Sequence, residues 1–206
     1  MRGLGAYSNI FAIESFMDEL AEIAGKDSVA FRLMHLEDPR AKEVLLKVQQ
    51  MTSGIQVKSG EGLGYAFSRY KNSASYFATA AKVRVDDNSR VWVMEMWGVI
   101  DAGEVINPNG LINQTEGGMI QSASWTLKEQ VTYGDTHIDS IDWNGYPIFR
   151  FEDVPLVHVE IIDRPNQPPL GAGEAAQGPA AAAIVNAIYH ATGTRVRNLP
   201  VNQGSS

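Results

Sequence analysis

The stretch Leu170-Gly171-Ala172-Gly173-Glu174-Ala175-Ala176-Gln177-Gly178-Pro179 places one carboxylate on a glycine-rich loop directly before an alanine-rich apolar run. A single acid at the edge of an interior is a candidate general base, because it can take a proton where water is scarce. The run that follows has helix chemistry. Pro179 suits a first helical position and Gly193 after Thr192 supplies a left-handed stop, which predicts a helix over about 179–192. Ala180, Ile184, Val185 and Ile188 recur at three- and four-residue spacing and almost nothing in the run is charged, so the helix should be covered on most sides. An acid near a helix N-terminus is also favoured by the helix dipole alone. The local chemistry therefore leaves two readings of Glu174, a base and a helix-start acid.

Gly171-Ala172-Gly173-Glu174-Ala175-Ala176 also fits the dinucleotide pattern G-x-G-x-x-A, but that pattern needs a strand ending in its first glycine and an acid about 20 residues further on. Neither is present. The apolar run Leu156–Ile162 is separated from Gly171 by Asp163 to Leu170 with three prolines, and no Asp or Glu follows Glu174.

The elements that must position this loop are legible from period and punctuation. Asn9 to Ala24 carries Ile10, Phe11, Ile13, Phe16, Met17, Leu20 and Ile23 on one side and Glu14, Asp18, Glu19 and Glu22 on the other, an amphipathic helix ended by Gly25. Two shorter helices are expected at Ser28–His35 and Pro39–Thr52. Gly62–Tyr70, Ser73–Val85 and Arg90–Asp101 have strand composition and predict a three-stranded antiparallel meander, the last two runs joined through Asp86-Asp87-Asn88-Ser89. A long helix over Leu111–Glu129 contains Gly117 and Gly118, which would let another backbone come close. An irregular aromatic loop, 135–153, precedes a fourth strand at Leu156–Ile162. The fold class is α+β, a small antiparallel sheet of about four strands packed with several helices, divided into a helical segment, 1–54, and a sheet with helices, 62–200.

Composition narrows the function. At 206 residues and 44% hydrophobic the chain can bury a sizeable core. A formal net charge of −7 without basic runs gives no electrostatic footprint for nucleic acid. No apolar stretch approaches the roughly 18 residues of a membrane span. Zero cysteines exclude disulfides, cysteine-ligated zinc and iron–sulfur clusters within this chain. His35, His137, His158 and His190 lack metal-ligand spacing and read as surface or core residues, so no metal site built from side chains is expected. Met1-Arg2-Gly3-Leu4-Gly5 leads abruptly into the first helix, as a close-approach loop without its partner, which suggests a fragment.

Three stretches, in this order, carry a family resemblance: Arg2-Gly3-Leu4-Gly5 with the helix beginning Phe11-Ala12-Ile13-Glu14; Asp101-Ala102-Gly103 through Asn107-Pro108 to Gln114-Thr115-Glu116-Gly117-Gly118; and Gly171-Ala172-Gly173-Glu174 with Gly178-Pro179-Ala180-Ala181. Over nearly its whole length the chain resembles the C-terminal part of the large, molybdopterin-binding subunit of molybdenum hydroxylases, the xanthine dehydrogenase and aldehyde oxidase family, and its wording is similar to the isoquinoline 1-oxidoreductase beta-subunit type. The resemblance implies hydroxylation of an electron-poor carbon of an aldehyde or N-heterocycle with oxygen from water. It implies Glu174 as the general base and Arg2 as a guanidinium beside the substrate, with Gly3, Gln114, Gly117, Gly171 and Gly173 at the cofactor. The cofactor implied is molybdopterin with molybdenum, as the cytosine dinucleotide. Iron–sulfur clusters would sit on a small partner subunit only.

The family's other cofactor-binding loops lie upstream of the arginine–glycine loop and are missing from this chain, so half a site and no turnover by the chain alone are expected. The remainder of the large subunit is then a partner. The compartment is left open between bacterial cytoplasm and periplasm. A reading from another class treats the chain as a non-catalytic module that keeps the fold and binds a partner through the aromatic 135–153 loop.

Overall fold

The computed structural model describes residues 2–201. Five α-helices, α1 Ala6–Ile23, α2 Ser28–His35, α3 Pro39–Thr52, α4 Pro108–Leu127 and α5 Gln177–Thr192, surround a sheet of β1 Glu61–Arg69, β2 Tyr76–Val85, β3 Val91–Asp101 and β4 Leu156–Ile161. The α+β class is as expected. Helix starts follow the side chains that can satisfy free amides. Asp27 caps α2 by accepting from the Val29 and Ala30 amides, Asp38 caps α3 ahead of Pro39, and Asn107 caps α4 ahead of Pro108. Gly193, at φ 72°, ends α5. At its other end α5 begins at Gln177, two residues before the proline taken as its first position.

The strands run in the order β1-β2-β3-β4, and the first three form the expected antiparallel meander. β4 pairs with β3 in parallel, a departure from a wholly antiparallel sheet. Its direction is set by the long excursion through α4 and the 128–155 segment, which returns the chain to the start of the β3 edge. A bulge beyond Lys82 leaves Met94 without a register partner, so that Val91 and Val93 share a face with Met96. Helices cover both faces. α4 and α5 pack on Phe77, Ala81, Met96 and Ile100, while α3 packs Val44, Leu45 and Val48 against Ala78, Ala80, Trp97 and Val99.

The alanine run of α5 is explained by how closely it lies on β1. A Cβ built on Gly62 would stand 2.0 Å from the Ala187 carbonyl oxygen, and one on Gly64 2.3 Å from the Ala187 nitrogen. Backbone rests on backbone there, and only small residues on both sides permit it. Gly64→Ala is expected to cost about 1–3 kcal/mol through forced separation of the two elements. The check is a lower urea midpoint with an unchanged slope.

The first helix corrects the sequence expectation. Its buried residues are Glu14, Ser15, Asp18 and Ala21, whereas Ile13, Phe16 and Ile23 are 54%, 57% and 82% exposed. The acidic side faces inward because Arg32, itself buried, meets Glu14 at 2.7 Å, and Arg195 meets Asp18 at 2.7 Å. Charge pairing, rather than the apolar stripe, sets the rotation of α1.

Candidate functional site

Two loops far apart in sequence meet to build the site. After β4 the chain turns back across the end of β3, where Leu170 N–H donates to the Ala102 carbonyl at 2.7 Å and Arg164 N–H to the Gly103 carbonyl at 3.1 Å. Asp101, fully buried, fastens this crossing: its carboxylate accepts from Arg40 of α3 and from Arg164, and from the Gly103 amide at 3.0 Å. Those cations and the amide hold it below the usual carboxylate range against the opposing effect of burial. The Asp101-Ala102-Gly103 stretch thus anchors the loop that carries Glu174.

Far away in sequence, Gly3 takes a φ of 88°, which turns the 2–5 segment into α1. The Gly3 amide donates to Oε1 of Glu174 at 3.1 Å, and the Tyr70 hydroxyl donates to Oε2 at 2.5 Å. These two hydrogen bonds, Tyr70 first, hold the Glu174 carboxyl below its ordinary range, with smaller help from the positive charges of Lys71 and Arg2. Tyr70 is buried, and burial together with the Glu174 charge pushes its phenol up to about 12. At neutral pH the pair is therefore a carboxylate and an intact phenol.

Arg2 braces the same loop. Its Nε and Nη2 donate to the Gly173 carbonyl at 2.8 and 2.5 Å and Nη2 also reaches the Gln114 carbonyl at 3.2 Å. Gln114 Nε2 donates to the same Gly173 oxygen at 2.9 Å. With its amide turned to suit its neighbours, Gln177 accepts from Arg2 Nε at 2.8 Å and donates to the Glu174 carbonyl at 3.0 Å. Arg2 is thus surrounded by carbonyl and amide oxygens, and among the described residues it has no direct ion pair. Partial burial lowers its pKa from the usual arginine value, with the Glu174 charge acting the other way.

Of the residues singled out from sequence, Arg2, Gly3, Gln114, Gly173 and Glu174 come together here. Gly117 and Gly171 do not join the network. Both are exposed, and a Cβ built on either would meet nothing within 4 Å. It is Gly118 that admits a neighbour, since its Cβ would come within 3.1 Å of Ala176 and Gln177. Sequence reasoning missed Tyr70 and Gln177 as site residues. Neither sits at a spacing that signals chemistry, and Tyr70 meets Glu174 across 104 residues of chain.

Beside the loop lies an open cleft of about 280 Å³ lined by Glu104, Asn107, Gln114, Leu170, Ala172 and Gly173. It is slightly smaller than the roughly 300 Å³ at which small-ligand sites begin. A larger cavity of about 510 Å³, between α1 and the end of α5, is lined by groups already engaged with one another, among them Asp18 and His190. Among the described residues no three His, Cys, Asp or Glu side chains are grouped to hold a metal ion, and no helix is long and apolar enough to cross a membrane.

The chain is similar to known proteins in sequence and in fold. Residues 10–155 match the family model described as "Molybdopterin cofactor-binding domain". The chain is 41% identical, over 98% of its length, to a subunit of nicotinate dehydrogenase from Pseudomonas putida, and 31% identical, again over 98%, to the beta subunit of isoquinoline 1-oxidoreductase from Brevundimonas diminuta. The isoquinoline likeness read from sequence is therefore present, and the nicotinate relative is the more similar of the two. The chain spans only 18% and 26% of these relatives' own lengths. In fold it is similar to the aldehyde oxidoreductase of Desulfovibrio gigas, with a TM-score of 0.81 at 16% identity, covering 98% of this chain and 40% of that one. The chain belongs to the molybdopterin cofactor-binding domains of the molybdenum hydroxylase family.

Proposed function

We propose that this chain is the C-terminal, base-bearing domain of a molybdenum hydroxylase large subunit that oxidises an N-heterocycle or aldehyde with oxygen from water. The observation that supports this most strongly is the meeting of Gly3 and Glu174 across 171 residues, which joins the first and third of the family-like stretches at one carboxylate. The names of the two similar relatives favour an N-heteroaromatic substrate over an aldehyde.

The residues fit a cofactor laid against them from outside. The Gly171–Gly173 loop is largely exposed, Gly117 and Gly171 offer surface without side chains, and the adjoining open cleft sets Glu104, Asn107 and Gln114 among a mainly apolar lining. Gln114 and Gly173 at the cleft, with Gly3, Gly117 and Gly171, are the residues that would hold it. When bound, molybdopterin with molybdenum would supply the acidified oxygen nucleophile and the acceptor for two electrons.

The rest of the chemistry falls to this chain's side chains. Glu174, ionised, takes the proton of the attacking hydroxyl at a carboxylate oxygen. Arg2, whose charge no carboxylate neutralises directly, stabilises negative charge developing on the substrate ring. The carbonyls around Arg2 fix its fork while leaving its full charge in force. We infer that the rest of the large subunit completes the cofactor site, that the cofactor is the cytosine dinucleotide, and that electrons leave through iron–sulfur clusters on a small subunit. The exposed Ile13 and Phe16 of α1, and Trp143 and Phe151 of the 128–155 segment, are apolar surface available to those partners.

Molybdenum and released cytidine nucleotide, measured per mole of the 206-residue chain and of a version with its upstream portion restored, test the shared site. Both should be near zero in the first and stoichiometric in the second. Stoichiometric values in the first would overturn the half-site reading.

A further inference from the structure

The corner between β1 and β2, residues 70–75, grips the catalytic loop at two points. Tyr70 donates its hydroxyl to Glu174 Oε2 at 2.5 Å, and Ser75 donates to the Gly171 carbonyl through its hydroxyl at 2.8 Å and its amide at 3.3 Å. The two contacts lie at either end of the glycine-rich stretch, so the loop's span is fixed against the sheet. None of the three family-like stretches contains this corner.

The corner is itself held in an uncommon shape. Lys71 and Asn72 both have positive φ, 50° and 56°, although neither is glycine. Such backbone persists only when its surroundings impose it, and it clusters at functional sites. The surroundings here are a ring of hydrogen bonds: the Ser73 and Ala74 amides donate to the Tyr70 carbonyl, and the Tyr70 amide donates to the Ser75 carbonyl. Tyr70 is only 8% exposed, so its ring cannot swing away without opening the turn.

A tyrosine buried for packing alone does not need its hydroxyl on the one carboxylate of the site. We propose that Tyr70 is a positioning residue for the base: from the β1–β2 corner its hydroxyl fixes one oxygen of Glu174, so that the carboxylate stands ready to take the proton of the attacking hydroxyl. This rests on the reading of Glu174 as the base. The groups facing Glu174 are Tyr70, the Gly3 amide, Lys71 and Arg2, and all of them favour its ionised form. Tyr70 makes the largest contribution. Loss of its hydroxyl therefore raises the Glu174 pKa, and the acid limb of turnover moves to higher pH. The phenol, pushed up to about 12, remains a donor throughout the working range.

The test uses the complete, cofactor-loaded enzyme as wild type, Tyr70→Phe and Glu174→Gln. kcat and KM are measured against pH, and the infrared band of the protonated carboxyl, identified as the one missing from Glu174→Gln, is titrated. In Tyr70→Phe the acid limb and the band should both move up by about one pH unit, with turnover below the limb falling about tenfold. KM on the plateau should stay within about twofold, at unchanged molybdenum content. Tyr70→3-fluorotyrosine, a stronger donor in the same shape, should move both in the opposite direction, and it serves equally if Tyr70→Phe fails to assemble. A band and limb that stay in place in these variants, while Glu174→Gln is inactive, would overturn the role of Tyr70 and leave the base reading standing. Near-normal turnover by Glu174→Gln would overturn the base itself, and the positioning role with it.

Discussion

Glu174→Gln in the complete enzyme is expected to lower kcat by about 10²–10⁴-fold, the range associated with loss of a general base, with molybdenum and nucleotide content unchanged. Glutamine is the informative replacement because it keeps both contacts. Its amide oxygen can still accept from the Gly3 N–H, and its amide nitrogen can donate to the Tyr70 hydroxyl, which turns from donor to acceptor. The loop should therefore stay where it is while the basic oxygen is lost. Near-normal turnover with intact cofactor would rule Glu174 out as the base and leave it a helix-start acid.

The second large effect concerns stability. Arg32→Ala is expected to destabilise the chain by about 3–5 kcal/mol, because it leaves a buried carboxylate without its partner. Arg32 is 2% exposed, and its guanidinium meets Glu14 Oε2 at 2.7 Å, the Glu14 carbonyl at 3.0 Å and the Ser28 hydroxyl at 2.6 Å. After the change Glu14 Oε2 would retain the Phe67 amide, at 2.8 Å, and no cation. Adding Glu14→Gln to Arg32→Ala should recover part of the loss, since the orphan charge is then gone. Urea denaturation of the single and double variants is the check. A loss below about 1 kcal/mol for Arg32→Ala would mean that contact with α5, not the ion pair, holds α1. Since α1 continues directly from the Gly3 loop, its displacement would also loosen the contact with Glu174.

Much of the fold was legible because helix boundaries are written in single residues. Pro39 and Gly193 act on amides or carbonyls within four residues of themselves, and the boundaries read from them hold, whereas α4 starts at Pro108 under its Asn107 cap, three residues before the Leu111 start expected from sequence. The rotation of α1 was not legible, because the arginines that turn its acidic side inward lie on α2 and beyond α5. The parallel placement of β4 depends on the path of a long excursion, which no short window contains. At the site, the pattern found Glu174, and family likeness supplied Arg2, Gly3 and Gln114. Tyr70 and Gln177 escaped because an ordinary tyrosine and glutamine gain meaning only from what stands opposite them. Of the glycine pair read as a place of close approach, Gly118 has the neighbour and Gly117 faces open space.

The Gly173 carbonyl and the Glu174 carboxylate take their donors from residues 2, 3, 70 and 114. Arg2 and Gly3 are separated from the loop by 171 residues, so an intermediate in which the 2–5 segment has not docked cannot present the finished loop. Closing a loop of this length adds little entropy beyond that of a shorter one. What it imposes is sequence in time: the receptacle exists only after the domain is complete. The contacts of this one loop therefore report that the fold between residues 2 and 174 has closed.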